Sequence, residues 1–299
     1  MRTIQGLYFD TVNTITADCD EEILRSCMQL CKEFEKKLSK TIKGSDVWNL
    51  NASEGRPVQV SEDTCNIIKC ALQFYQYTNK AFHIGIEPLV NLWNVKYAKE
   101  PPLDDEIKKA IQKVGALEIV VADNEITVPK GMQIDLGGIA KGYITDKVAD
   151  FLRDKKINSG LLNFGGNIVA INTKPDKTPW KVGIQRPFAT TGQDYFAITW
   201  LNNNTIVTSG IYERYFVSDG RLYHHIIDPK TGYPSSKGII LASVIGKESM
   251  VADALATSVL LLGWEEGKAL CEKFGYEVLA VFESGEIFKS DGFQIQLVK

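Results

Sequence analysis

The 299 residues carry 34 Lys and Arg against 37 Asp and Glu, a formal net charge of −3, so the chain offers no basic field for nucleic acid. With 44% hydrophobic and 24% charged residues it is too apolar to remain disordered. Its longest apolar run, around Val259 to Leu262, is far too short to cross a bilayer, so no transmembrane segment is expected.

In chain order, Leu7, Phe9, Val12 and Ile15 fit an opening strand. Glu21 to Leu38 then carries Ile23, Leu24, Cys27, Met28, Leu30, Cys31 and Phe34 at helical spacing. Ser61, followed by Glu62 and Asp63, is an N-cap for a helix through about Asn79, and Asp104 opens another toward Val114. Ile119-Val120-Val121 and Ile126-Thr127-Val128 flank Asp123-Asn124, two residues that tolerate positive φ, and predict a hairpin. The apolar approach Ile134 to Leu136 then meets Gly137-Gly138 where an amphipathic helix, Ile139 to Leu152, begins. Glycines there let backbone N–H groups approach an anion, and the first helical turn adds unpaired donors and the positive end of its dipole. A plain structural turn explains the same pair, and neither the GxxxxGKS/T phosphate loop nor GxGxxG is present.

Leu161-Leu162-Asn163-Phe164 leads into a second glycine turn, Gly165-Gly166-Asn167, before a strand from Ile168 to Ile171. Further strands are expected over Trp180 to Gln185, Tyr195 to Trp200, Thr205 to Thr208, Tyr212 to Val217, Leu222 to Ile227 and Ile239 to Val244. One helix, Met250 to Leu262, interrupts them near the end, and its apolar circumference predicts burial. No linker or repeat divides the chain. The expected fold class is therefore α+β: a single domain over residues 1–299 with a large, mainly antiparallel sheet and flanking helices.

Two constellations carry chemistry. In Ala252-Asp253-Ala254-Leu255-Ala256-Thr257 a carboxylate and a hydroxyl share one helix face, a plausible partial shell for a hard cation such as Mg²⁺. A buried Asp needs a partner, which leaves two readings open: a metal, or Asp253 capping its own helix while Thr257 returns its hydroxyl to the backbone. In Tyr223-His224-His225-Ile226-Ile227-Asp228-Pro229, strand alternation puts His225 with Ile227 and His224 with Ile226, so the histidines cannot easily share a zinc ion. His225 near a carboxylate suits proton transfer or phosphate contact, a satisfied structural histidine is the alternative, and Asp228 before Pro229 also suits turn initiation.

Cys19, Cys27, Cys31, Cys65, Cys70 and Cys271 contain no C-x-x-C pair and follow neither a zinc nor a disulfide framework, so free thiols are expected. The N-terminus shows no apolar core followed by a cleavage site or lipidated cysteine. Together these point to a cytoplasmic protein. An exported or lipid-anchored protein with its signal removed reads the same.

In order, these segments resemble the FAD:protein FMN transferase family, the ApbE flavin-trafficking proteins. Members carry DLGGIAKGY, N-x-GG-D/N, SG-x-YERYF, H-x-IDP-x-TG-x-P and ADALAT. Here these read Asp135 to Tyr143, Asn163 to Asn167, Ser209 to Phe216, His225 to Pro234 and Ala252 to Thr257, and Ser45 to Asn51 resembles the family's S-x-x-x-x-LN segment. Departures fall in Phe82 to Val90, where the family usually has FD-x-TVGPLV: His83, Gly85 and Glu87 replace Asp, Thr and Gly. Ile211 also stands where a small or polar residue is common.

The resemblance implies Mg²⁺-dependent transfer of FMN from FAD to a Ser or Thr hydroxyl, with release of AMP. The acceptor would be a flavoprotein carrying a D-x-x-S/T-G-A-S/T flavinylation motif. By motif match, Asp253, Thr257 and the Ala140 carbonyl would hold Mg²⁺. Gly138, Lys141, Asn163, Gly165, Gly166, Glu213 and His225 would contact FAD, with His225 as the proton-transfer or transition-state group and Asp228 orienting the region. The alternatives are an FAD pyrophosphatase, with water as acceptor, and a non-enzymatic FAD-binding protein.

Overall fold

The opening strand is in fact a hairpin. In the computed structural model, which describes residues 1–189 and 194–298, β1 (Arg2–Tyr8) pairs with β2 (Thr11–Ala17) through a tight turn at Phe9 and Asp10. Both turn residues have positive φ, 56° and 58°. Asp tolerates that region and Phe does not, so local propensity hides the turn.

The helices expected from periodicity form with close boundaries. α1 (Glu21–Leu38) buries Leu24, Cys27, Met28, Cys31, Phe34 and Leu38. Two short elements that lack a repeating pattern follow, α2 (Asp46–Asn51) and β3 (Val58–Gln59). α3 (Glu62–Tyr77) starts at Ser61, whose hydroxyl accepts from the Thr64 N–H. A 3₁₀ turn at Ile84–Ile86 runs into α4 (Glu87–Trp93), and α5 (Asp104–Val114) follows. The hairpin β4 (Val120–Ala122) and β5 (Glu125–Thr127) turns at Asp123, φ 53°, as its sequence predicts. α6 (Ala140–Asp154) follows the glycine pair.

The remaining elements are β6 (Gly160–Phe164), β7 (Asn167–Ile171), β8 (Trp180–Gln185), β9 (Tyr195–Leu201), β10 (Thr205–Gly210), β11 (Tyr215–Ser218), β12 (Arg221–His224), β13 (Ile239–Gly246), α7 (Ser249–Leu262), α8 (Trp264–Phe274), β14 (Glu277–Phe282), β15 (Ile287–Lys289) and β16 (Gln296–Leu297). Eight strands form one antiparallel sheet in the order β1-β2-β6-β7-β10-β13-β14-β15. The other late strands do not join it. β16-β9-β8 make a second sheet and β11-β12 a separate ribbon, so the expected large sheet is real but does not take every strand assigned to it. β11 starts at Tyr215 rather than Tyr212, and β12 ends at His224 rather than Ile227. The helix α8 and strand β14 lie beyond the single late helix that the sequence suggests.

Alternation in the central strands explains the layering. On β10, Val207 faces a core shared with α1, α3, α6 and α7, while Ile206 faces the second sheet; on β14, Val278 and Ala280 point one way and Leu279 and Val281 the other. α4 and α5 pack on the β11-β12 ribbon around Trp93, whose indole N–H donates to the Gly232 carbonyl at 2.7 Å. All six cysteines are free, as expected, and Cys27, Cys31, Cys65 and Cys271 are buried. Among the described residues no helix is long and apolar enough to cross a membrane.

Candidate active site

α6 and α7 meet at their N-termini, and each caps the other. Gly142 permits the approach: a Cβ there would sit 2.3 Å from the Ser249 carbonyl oxygen and 2.6 Å from Met250 Cα. Asp146 on α6 accepts from the Ser249 and Met250 N–H groups, each at 2.9 Å, and burial nevertheless pushes its carboxyl up to about 7. Reciprocally, Asp253 Oδ2 on α7 accepts from the Gly142 N–H at 2.9 Å.

Asp253, 2% exposed, therefore does not cap its own helix; it sits a full turn inside α7 and satisfies a donor of α6. Thr257 does not return its hydroxyl to the helix backbone, although its neighbour Ser258 does so to Ala254 at 2.6 Å. A Cβ on Gly138 would lie 3.5 Å from Thr257 Oγ1, so the hydroxyl faces the glycine turn. Among the described residues Asp253 Oδ1 and the Thr257 hydroxyl have no hydrogen-bond partner, and the backbone N–H groups of Gly138 and Lys141 have no acceptor. Ala140 lies between those donors as the first residue of α6.

The turn itself is braced from three sides. Asn51, from the S-x-x-x-x-LN segment whose Ser45 caps α2, bonds both the N–H and the carbonyl of Ile134, at 2.7 and 3.0 Å. The Asp135 N–H donates to the Ile84 carbonyl at 2.7 Å, and Asp135 Oδ1 accepts from the Gly137 N–H at 2.6 Å. Lys40 Nζ reaches both Asp135 Oδ2, at 2.7 Å, and Glu87 Oε2, at 2.6 Å.

The departures around Glu87 form compensated pairs. His83 Nδ1 accepts from the Gly85 N–H at 3.0 Å, its Nε2 lies 3.2 Å from the Gly115 carbonyl, and its ring fills the space where a Cβ on Gly85 would clash at 2.8 Å. It is a satisfied structural histidine. The carboxylate of Glu87 is met by Lys40.

Lys141 leaves α6 toward the second glycine turn and donates to Asn167 Oδ1 at 3.0 Å. Gly165 and Gly166, at φ 59° and 92°, form the two-residue β6-β7 turn; Asn163 Oδ1 accepts from the Gly166 N–H, and the Gly166 carbonyl accepts from the Thr208 N–H. These glycines and Asn163 build the hairpin that presents Asn167. Asn167 is fully buried with its Nδ2 unpartnered, and the sequence reading did not single it out although it closes the N-x-GG-D/N segment.

His225 lies one residue past β12, outside the strand alternation assigned to it. Its Nδ1 is 3.2 Å from the Arg214 carbonyl, an acceptor, so Nδ1 carries the proton and Nε2 keeps a free lone pair. Burial, then the charges of Arg214, His224 and Lys141, push its pKa down to about 3. An anion bound beside Arg214 and Lys141 would push it back up. Arg214 is a second candidate that stands out only in the structure, and its place in YERYF is its one mark in the sequence. Glu213 beside it is exposed and makes no ion pair among the described residues. The Asp228 carboxylate accepts from the Lys230 N–H at 2.8 Å within the turn after His225, and among the described residues it makes no hydrogen bond to α6 or α7.

His224 turns inward. Its Nδ1 accepts from the Ile226 N–H at 3.2 Å and its Nε2 meets the Ser235 carbonyl at 3.0 Å, a pattern that only the neutral ring satisfies. Burial pushes it down to about 4 from the ordinary histidine value of 6.5. Its share of stability is therefore complete above about pH 6.5 and lost as pH falls toward 4, where the unfolded chain has already taken its proton. The raised carboxyls of Asp146 and Glu87 act in the opposite sense, so the rings should be followed directly. In a side-chain NMR titration from pH 8 to about 5 the His224 and His225 resonances should stay those of neutral imidazole; a midpoint near the ordinary histidine value would contradict this geometry.

Among the described residues no three His, Cys, Asp or Glu side chains converge as a metal cluster. A hard cation that keeps waters or phosphate oxygens in its shell needs fewer protein ligands, and Asp253 Oδ1 with the unbonded Thr257 hydroxyl fits that donor chemistry. Free backbone donors at Gly138 and in the first turn of α6, a carboxylate and hydroxyl on α7, and an imidazole beside two cations are the groups that could hold an anionic, phosphate-bearing ligand.

A sequence model of the ApbE family matches residues 9–282. An FAD:protein FMN transferase of Klebsiella pneumoniae is 33% identical over 277 residues, 91% of this chain and 85% of that protein, and one of Treponema pallidum is 33% identical over 288 residues, covering 90% and 79%. The crystal structure of the ApbE protein of Thermotoga maritima superposes with a TM-score of 0.86 at 30% identity, covering 97% of each chain; the flavin transferase ApbE of Vibrio cholerae gives 0.84 at 27%, covering 98% of each. The chain belongs to the ApbE family.

Proposed function

We infer that this chain is an FAD:protein FMN transferase, an enzyme that uses Mg²⁺ to move FMN from FAD to a Ser or Thr hydroxyl of an acceptor protein and releases AMP. The class rests on the family and its transferase relatives. The finer reading rests on one observation above all: Thr257, one helical turn from Asp253, faces the Gly138 turn, and among the described residues the N–H groups of Gly138 and Lys141 have no acceptor.

In the proposed reaction the acceptor oxygen attacks the flavin-side phosphorus, a new P–O bond forms, the pyrophosphate bridge breaks and AMP leaves with its electron pair. Gly138, Lys141 and Arg214 orient the phosphates and offset their charge. His225 Nε2 takes the proton of the attacking hydroxyl, and the Arg214 carbonyl holds the ring in the tautomer that leaves this nitrogen free. Asp253, Thr257 and the Ala140 carbonyl would be the donors for Mg²⁺, which when bound would neutralise charge building on the pyrophosphate.

Incubation with FAD, Mg²⁺ and an acceptor carrying the D-x-x-S/T-G-A-S/T sequence should give covalent flavin on the acceptor and AMP in equal amounts, with EDTA stopping both. FMN should not serve as donor, because it lacks the bond to be cleaved. Labelling by FMN as efficient as by FAD would refute the mechanism. Free FMN with no acceptor labelling would identify a pyrophosphatase, and unchanged FAD a binding protein.

A further inference from the structure

The strongest feature left unused by this reaction is the ion triad of Lys40, Glu87 and Asp135 behind the glycine turn. Its members come from three distant segments: the chain leaving α1, the first residue of α4 and the approach to α6. Glu87 is 5% exposed, and Lys40 is the one cation paired with both carboxylates among the described residues. Without the ammonium, two carboxylates would face each other in a poorly hydrated place, which costs far more than a surface pair gains.

The consequence runs through Asp135. One of its oxygens takes the Lys40 ammonium and the other takes the Gly137 N–H. The Leu136 carbonyl closes the turn by accepting from the Ile139 and Ala140 N–H groups, and among the described residues Asp135 is the one acceptor of the Gly137 N–H, next to a second residue without a side chain. We propose that Lys40 is a positioning residue for the phosphate-binding turn: by keeping Asp135 charged and aimed, it holds Gly137 so that Gly138 stays against the Thr257 hydroxyl with its own N–H left for the donor. This rests on the reading that the turn binds the pyrophosphate of FAD.

The pairing also explains why Glu87 is tolerated where relatives usually have Gly. Burial and the neighbouring Asp135 charge push the Glu87 carboxyl up, while Lys40 opposes them; Asp135 stays low, the Lys40 charge and its hydrogen bonds outweighing burial. Glu87 thus competes for the cation that Asp135 needs. Removing Lys40 alone should harm the turn more than removing Lys40 and the Glu87 charge together. In the double variant Asp135 no longer faces a second carboxylate.

A turn that grips the donor equally in ground and transition state affects KM rather than kcat. In folded Lys40→Met, KM for FAD should rise about tenfold or more with kcat within about threefold, and the dissociation constant of FAD measured by its fluorescence should rise in parallel. Lys40→Arg should keep most of the affinity, and Lys40→Met with Glu87→Gln should recover at least half of the loss on a logarithmic scale. A folded Lys40→Met with unchanged KM, or a double variant no better than the single one, would overturn the proposal. If Lys40→Met does not fold, Lys40→Arg and the double variant carry the same comparison. Wild-type protein that neither binds nor consumes FAD would overturn the transferase reading and this proposal with it, whereas normal wild-type transfer beside a silent Lys40→Met removes only the latter.

Discussion

Asp253→Asn should abolish flavin transfer, lowering kcat/KM at least about a hundredfold, about 2.7 kcal/mol of transition-state stabilisation, while the chain remains folded. The separation of effects comes from the two oxygens of Asp253. Oδ2 caps α6 through the Gly142 N–H, and an asparagine carbonyl oxygen can accept that same bond. Oδ1 has no partner among the described residues, and its charge is what a phosphate-bound cation would require. The variant keeps the cap and loses the charge. Transfer rate against Mg²⁺ concentration, read beside the urea-unfolding midpoint, tests both halves. Near-normal Mg²⁺-dependent turnover would mean that Asp253 serves only as a cap, and a collapsed midpoint would mean that its charge is needed to join α6 to α7.

Gly142→Ala should have the largest effect on stability of any single methyl addition on α6, about 3 kcal/mol or more. The added carbon would lie 2.3 Å from the Ser249 carbonyl oxygen and 2.6 Å from the carbonyl carbon, both backbone atoms that no rotamer change can move aside. Relief requires α6 and α7 to separate, and separation stretches the Asp146 and Asp253 caps together. Gly220→Ala is the control. That residue, at φ 74° in the β11-β12 turn, has nothing within 4 Å of an added Cβ, so the change costs only left-handed backbone strain of about 1 kcal/mol. Equal midpoints for the two variants in urea would show that the helices accommodate the methyl and that their close approach is not a constraint.

Much of the architecture is legible along the chain wherever the cause is local. α1 and α5 begin and end where amphipathic spacing says, and Ser61 caps α3 through its own third neighbour. The β4-β5 turn follows from Asp123-Asn124. The β1-β2 turn does not, because Phe9 has no preference for positive φ and adopts it under the seven-residue cross-strand register that joins Leu7 to Val12. Strand alternation likewise marks β8 and β9 as strands but cannot say which sheet they enter, since pairing is chosen by distant partners. α7 ends at Leu262, where its sequence pattern ends, but Gly263 alone, at φ 91°, separates it from α8, a helix that the sequence reading does not include.

The same division runs through the site. By itself the sequence determined which residues are candidates for the chemistry: a carboxylate and hydroxyl one turn apart, two glycine turns, a histidine before a Pro-Gly loop, and the ordered segments that resemble one family. Tertiary structure decided what each one contacts. Asp253 finds Gly142 from 111 residues away, and Lys40 finds Asp135 from 95. Periodicity, caps and turns depend on neighbours within a few residues, so they can be read from the chain; the partner of a buried charge depends on which distant backbones come close enough to donate, and only the packed core decides that.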